Sequence, residues 1–152
     1  MQKDLENPLS LDNQVCFSLY SATNAMVRAY RPLLTELDLT YPQYLAMLVL
    51  WENKGISVKT LGEQLHLDSG TLTPLLKRLE AKGLVTRGRS ESDERVRVLH
   101  TSKKGLELKQ LAAKVPEKMR CKLNIQLDFF AELKRLCDQA YVSLVEAEQK
   151  KN

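Results

Sequence analysis

The chain has 152 residues, 43% hydrophobic and 28% charged. That is the composition of one ordinary globular domain, and it argues against a disordered or fibrous chain. No apolar run approaches the roughly 18 residues of a membrane span, and MQKDLENPLSLDNQ offers no apolar core for a secretory signal, so a cytoplasmic protein is expected. Cys16, Cys121 and Cys137 are too few and too scattered for a disulfide framework. They also lack close Cys/His spacing with His66 and His100, which argues against a zinc site. No metal or other cofactor is expected.

The net charge of +4 is unevenly spread. Residues 1–68 hold 5 basic and 8 acidic side chains, a net −3, whereas residues 69–122 hold 14 basic and 6 acidic, a net +8. A basic middle suggests a polyanionic partner, although a solvated lysine-rich helix has the same composition.

In chain order, residues 12–37 read as one long helix. Asp12 is a candidate cap, and an apolar face recurs at spacings of three and four from Cys16 to Leu37. Pro32 inside that pattern should kink the helix or end it early. Residues 42–54 form a second helix, with Pro42 in its first turn and Gly55 after its end. Ser57 caps a short third helix running to His66. A fourth helix from Ser69 to Lys82 carries Leu72, Leu75, Leu76 and Leu79 on one face and stops at Gly83. The period then changes. LVTRG (84–88) and VRVLH (96–100) flank the charged RSESDER, and together they predict a β-hairpin. Helix restarts after Ser102, is broken or re-aimed at Pro116, and resumes to about residue 150 with Leu133, Leu136, Cys137, Ala140, Tyr141 and Leu144 on one stripe.

Two helices joined by a tight turn at Leu67 and Asp68, followed by a hairpin, make a winged helix-turn-helix, which lays its second helix in a DNA major groove. The fold class is therefore mainly α with a small β wing, and the expected partner is double-stranded operator DNA. Ser69, Thr71 and Thr73 can hydrogen-bond base edges or phosphates, and Lys77 and Arg78 can reach the backbone. Asp68 or Ser69 caps the helix, so these two can have both roles. Arg87, Arg89, Arg95 and Arg97 fall at or near the wing tip, where arginines can enter a minor groove, and Asp93 can brace Arg95. Pro74, about five residues into the recognition helix, should delay its start or distort its first turn.

The string LDSGTLTPLLKRLEAKGLVTRGRSESDERVRVL resembles the MarR family of winged-helix repressors, through its TLT…L…RLE…GL…R…S..D.R pattern from Thr71 to Arg95. The first helix narrows the likeness. CFSLYSATNAMVRAYRPLLTELDLTYPQYLAMLVLWE is similar to the organic-hydroperoxide sensors of that family, the OhrR branch. Cys16 matches their reactive cysteine, and Tyr20, Tyr30 and Tyr41 look like the tyrosines that hydrogen-bond it. Cys121 is similar to the resolving cysteine of the two-cysteine type. The resemblance implies a homodimer with residues 1–40 as an N-terminal dimerisation and sensor helix, 41–101 as the winged helix and 102–152 as C-terminal dimerisation helices. It also implies a repressor rather than an enzyme, released from DNA when an organic hydroperoxide oxidises Cys16 and Cys121 then closes a disulfide.

The residues themselves allow other readings. On periodicity alone Cys16 is a small apolar residue of a helix face, and the tyrosines are core aromatics. Cys121 lies between Arg120 and Lys122, whose charges favour a thiolate, yet it also reads as an ordinary helix residue. Cys137, on a leucine stripe, reads as packing. Phe17, Met47 and Trp51 are candidates for an apolar lining that prefers organic peroxides. Tyr20 stands one turn from Cys16 on the same face. Tyr30 is 14 residues on, about 21 Å along a continuous helix, and cannot reach Cys16 within it. A site using both needs a second subunit or a broken helix, and the resemblance implies the former. Two rival functions stand beside this one: a MarR-type repressor released by a small ligand, and a thiol peroxidase using Cys16. The second is opposed by the winged helix and by the lack of a CxxC motif or a positioned base.

Overall fold

The computed structural model describes residues 7–89, 96–123 and 126–149. Asp93 and Arg95, expected at the wing, lie outside the described residues. The chain divides into two compact units, residues 1–116 and 117–152. The first contains α1 (Val15–Thr35), α2 (Tyr41–Glu52), β1 (Ile56–Ser57), α3 (Val58–Leu65), α4 (Ser69–Ala81), β2 (Val85–Arg89), β3 (Arg97–Thr101) and α5 (Lys103–Ala112). Helix α6 (Val115–Leu123) crosses the division, and α7 (Leu127–Gln149) lies in the second unit. The fold is mainly α with a small antiparallel sheet of order β1-β3-β2. The hairpin pairs Val85 with Thr101 through to Arg89 with Arg97. Strand β1 is absent from the sequence reading. Two residues carry no readable period, and the strand exists only because Ile56 and Ser57 pair with Leu99 and Val98.

Side-chain caps set most helix starts. Thr40 and Gln43 form a reciprocal capping box on α2, and Ser57, Asp68 and Ser102 accept the amides of Thr60, Thr71 and Gly105. Such caps satisfy amides that have no partner inside the helix. The start of α1 departs from expectation. Asp12 does not cap it but lies in a 3₁₀ turn over Leu11–Asn13, and the cap position is Gln14, which makes no side-chain cap bond. The cause is local: Asn13 and Gln14 turn their amides back onto the carbonyls of Asn7 and Pro8, at 2.9 and 2.7 Å. Helix α1 runs through the exposed Pro32 to Thr35, where Asp38, at φ 51°, turns the chain through the left-handed region. Pro74 likewise sits inside an α4 that starts at Ser69. Its missing amide falls on an exposed face, where water can take the freed carbonyl. Pro116 is the second residue of α6, a position where its fixed φ suits a new helix.

Helix α2 is apolar on nearly every face and lies at the centre of the core. Its Tyr44, Ala46, Met47, Leu50 and Trp51 pack with Leu34, Leu61, Leu72, Leu76, Leu79 and Leu99. Its C-terminal end is tied polar group by polar group. Thr101 Oγ1 donates to the Leu50 carbonyl at 3.1 Å, Lys109 Nζ to that of Trp51 at 3.0 Å, and the Trp51 indole to that of Gly105 at 2.8 Å. These bonds anchor the wing and α5 to α2. In α7, Leu136, Tyr141 and Leu144 of the expected stripe are exposed. Among the described residues no helix is long and apolar enough to cross a membrane.

Candidate functional site

The recognition helix α4 presents Ser69, Thr71, Thr73, Lys77 and Arg78 to solvent while Leu72, Leu75, Leu76 and Leu79 face the core. Asp68 is the cap. One carboxylate oxygen accepts the Thr71 amide and the other the Thr71 hydroxyl, each at 2.9 Å. The amide bond, then the hydroxyl bond, holds the Asp68 carboxyl below the usual aspartate value. The Thr71 hydroxyl proton is thus committed to Asp68, which leaves the hydroxyl oxygen able to accept a further hydrogen bond but not to donate one.

The wing differs from its sequence reading at one arginine. Arg87 is the middle residue of β2 and not near the tip. It stands on the strand face of Val85, opposite the buried Leu99. Its Nε donates to Glu80 Oε1 of α4 at 2.8 Å. Arg89 and Arg97 are exposed and directly opposite in the ladder, which concentrates positive charge at the loop end of the hairpin. The Glu80–Arg87 pair was not legible in the sequence. Its partners are seven residues apart across a helix end and a turn, a spacing that no periodic rule joins.

Cys16 is the second residue of α1 and is exposed. It lies in the first helical turn, nearer the start than an Asp12 cap would have put it, where the helix dipole favours an anion. Tyr20, one turn on, is 67% exposed. Tyr30 and Tyr41 come together elsewhere. Their ring centroids are 5.0 Å apart, and Tyr44 stacks 6.0 Å from Tyr30. Burial raises all three phenols above the ordinary tyrosine value, so near neutral pH they are proton-bearing donors. Tyr44 is the member that sequence reasoning passed over. It follows Tyr41 by three residues on α2, a spacing that places two side chains on one face. Because α1 is unbroken across its 21 residues, Tyr30 stays about 21 Å from Cys16 along the helix. One chain therefore brings Tyr30 and Tyr41 together but leaves them away from Cys16. Met47 and Trp51, expected near the thiol, are core residues, and Phe17 is exposed. Cys121 and Cys137 are exposed and free, on α6 and α7.

A capped recognition helix followed by an arginine-bearing wing defines a winged-helix transcriptional regulator. Residues 28–111 match the family described as transcriptional regulator SarA/Rot. The chain is 46% identical over 142 residues to the organic hydroperoxide resistance transcriptional regulator of Bacillus subtilis, covering 93% of this chain and 95% of that protein. Its fold is similar to that of AbfR, a protein of Staphylococcus epidermidis. The similarity to reduced AbfR bound to DNA has a TM-score of 0.75 at 31% identity, over 90% of this chain and 93% of that one. The disulfide-formed AbfR gives 0.63 at 32% identity, over 86% and 92%. The chain belongs to the MarR family of winged-helix transcriptional regulators.

Proposed function

We propose that this protein is a homodimeric, redox-sensing repressor of the cytoplasm and not an enzyme: it binds operator DNA when reduced and leaves it when an organic hydroperoxide oxidises Cys16. The observation that carries the reading is the separation within one chain of an exposed thiol at the start of α1 from the paired phenols of Tyr30 and Tyr41. A thiolate-supporting set of Cys16, Tyr20, Tyr30 and Tyr41 is then completed across a dimer, so oxidation acts where subunit geometry is set. The relatives support the same reading, one by its part in organic hydroperoxide resistance and AbfR by its reduced, DNA-bound form.

The chemistry balances without a cofactor. The Cys16 thiolate attacks a peroxide oxygen, the O–O bond breaks, and the alkoxide leaves and takes up a proton as an alcohol. Sulfur is oxidised to a sulfenic acid and the peroxide is reduced. The Cys121 thiolate then attacks that sulfur, an S–S bond forms as the S–O bond breaks, and the hydroxide that leaves takes up a proton from solvent as water. A disulfide requires Cα atoms within about 7 Å, and reaching Cys121 is expected to involve a local rearrangement of the first helix. DNA release follows as a covalent population shift. Asp68, Ser69, Thr71 and Thr73 read bases at the groove. Lys77, Arg78, Arg87 and Arg89 meet the phosphate backbone, and Asp93 and Arg95 belong to the same DNA-binding set.

Operator binding with and without one equivalent of cumene hydroperoxide tests the reading. Cys16→Ser should bind DNA as the wild type does and ignore the peroxide. Cys121→Ser should stop at the sulfenic acid, and non-reducing peptide mass spectrometry of the wild type should yield a Cys16–Cys121 peptide. Release of Cys16→Ser by peroxide would overturn the redox reading and favour a bound-ligand signal, and sustained peroxide turnover with a thiol reductant would make the protein a peroxidase.

A further inference from the structure

We propose that Lys82 is a positioning residue that ties the recognition helix to the end of the sensor helix, so that displacement of α1 on oxidation is passed to α4 through this side chain. The proposal rests on the redox reading above. Lys82 is the C-terminal cap residue of α4, and its side chain is only 27% exposed. Its ammonium donates to the Asp38 carbonyl oxygen and, at 3.3 Å, to Gln43 Oε1. It also stands 3.2 Å from the Asp38 carboxylate.

These acceptors belong to the corner where α1 becomes α2, and both are fixed. Asp38 holds the left-handed turn that ends α1 and is flanked by the buried Leu37 and Leu39. Gln43 is 3% exposed, and its Oε1 already accepts the Thr40 amide at 3.0 Å. The Asp38 carboxylate is 86% exposed, where an ion pair contributes little. The carbonyl and the buried amide oxygen are therefore the stronger part of the tie.

On its other side the same end of α4 is held by α5. Lys104 Nζ donates to the Lys82 carbonyl at 2.8 Å and Ser102 Oγ to that of Gly83 at 2.6 Å. Elsewhere α4 meets the core through leucines. Apolar packing is non-directional and resists separation more than rotation, whereas charge-assisted hydrogen bonds are directional and stronger than neutral ones. The Glu80–Arg87 pair links α4 to β2 and not to α1. Lys82 thus supplies directional contact between the helix that reads DNA and the corner that joins the Cys16-bearing helix to α2.

The test compares operator affinity of the full-length protein, reduced and after cumene hydroperoxide, by fluorescence anisotropy. Lys82→Met keeps the apolar stem and removes the ammonium. It should bind DNA when reduced within about threefold of the wild type, while the ratio of reduced to oxidised affinity falls about tenfold, the scale of one allosteric coupling term. Asp38→Gly keeps the carbonyl and the left-handed turn and should retain the ratio. Lys82→Arg should recover most of it. Should Lys82→Met not fold, Lys82→Gln, polar and too short to reach, serves in its place. An unchanged ratio in Lys82→Met, or equal loss of affinity in both redox states, would overturn the tie while leaving the redox reading intact. A wild type that peroxide does not release would overturn both.

Discussion

Replacing Gly105 by Ala tests the close approach of α5 to the entry of β2. A methyl group at Gly105 would run into the Leu84 carbonyl oxygen and lie 2.6 Å from Thr101 Cγ2. Neither neighbour yields easily, since Leu84 is buried and Thr101 is bonded to the Leu50 carbonyl. The first turn of α5 must move instead. That movement strains the Ser102 cap, which Gly105 closes at 3.0 Å, and the indole bond from Trp51 to the Gly105 carbonyl at 2.8 Å. Overpacking of this kind costs about 1–3 kcal/mol, and each weakened bond about 1 kcal/mol. Against these stands the helix preference for Ala over Gly, about 1 kcal/mol. The net expectation is a destabilisation of about 3 kcal/mol, or roughly 6–12 °C in Tm for a chain of this size. Urea and thermal unfolding at fixed protomer concentration measure it, since dimer stability depends on concentration. Trp51, the single tryptophan, reports on the same joint. A variant as stable as the wild type, or more so, would refute the reasoning and leave helix propensity as the controlling effect.

Three further outcomes follow from the geometry. Gly83 has φ 71°, and a Cβ there would meet only Lys104 Cδ at an unstrained 3.9 Å, so Gly83→Ala should lose about 1–2 kcal/mol from backbone strain alone, and an unchanged thermal midpoint would mean that the helix end relaxes. The Thr71 amide and hydroxyl depress the Asp68 carboxyl, so its contribution is present above the ordinary carboxylate value and is lost as pH falls through the lower folded value. The stability difference between wild type and Asp68→Asn should therefore be constant near neutrality and shrink below about pH 4, and a difference independent of pH would remove the charged cap from the account. Arg87→Ala should weaken operator binding across sequences and lower the salt slope by about one, whereas an unchanged slope would assign Arg87 wholly to Glu80.

Much of this protein is written in local sequence. Helix starts at Ser57, Asp68 and Ser102, the leucine face of α4 and the strands flanking RSESDER follow from capping chemistry and periodicity, which act between neighbours in the chain. The wing's place beside the recognition helix was legible for the same reason. The Thr71–Asp68 bond also falls within that reach, but its effect on what the Thr71 hydroxyl can offer to a partner needed the observed geometry.

Other features were decided only by the tertiary structure. Strand β1 exists because Leu99 and Val98 lie beside Ile56 and Ser57. Tyr44 joins Tyr30 only once α1 and α2 pack, Arg87 finds Glu80 across a turn, and Lys82 reaches Asp38 and Gln43 from about forty residues away. Periodicity and capping describe a chain's relation to itself over one or two turns of helix. Contacts between elements depend on how buried leucine faces settle against one another, and apolar burial, being non-directional, leaves that choice to the whole core.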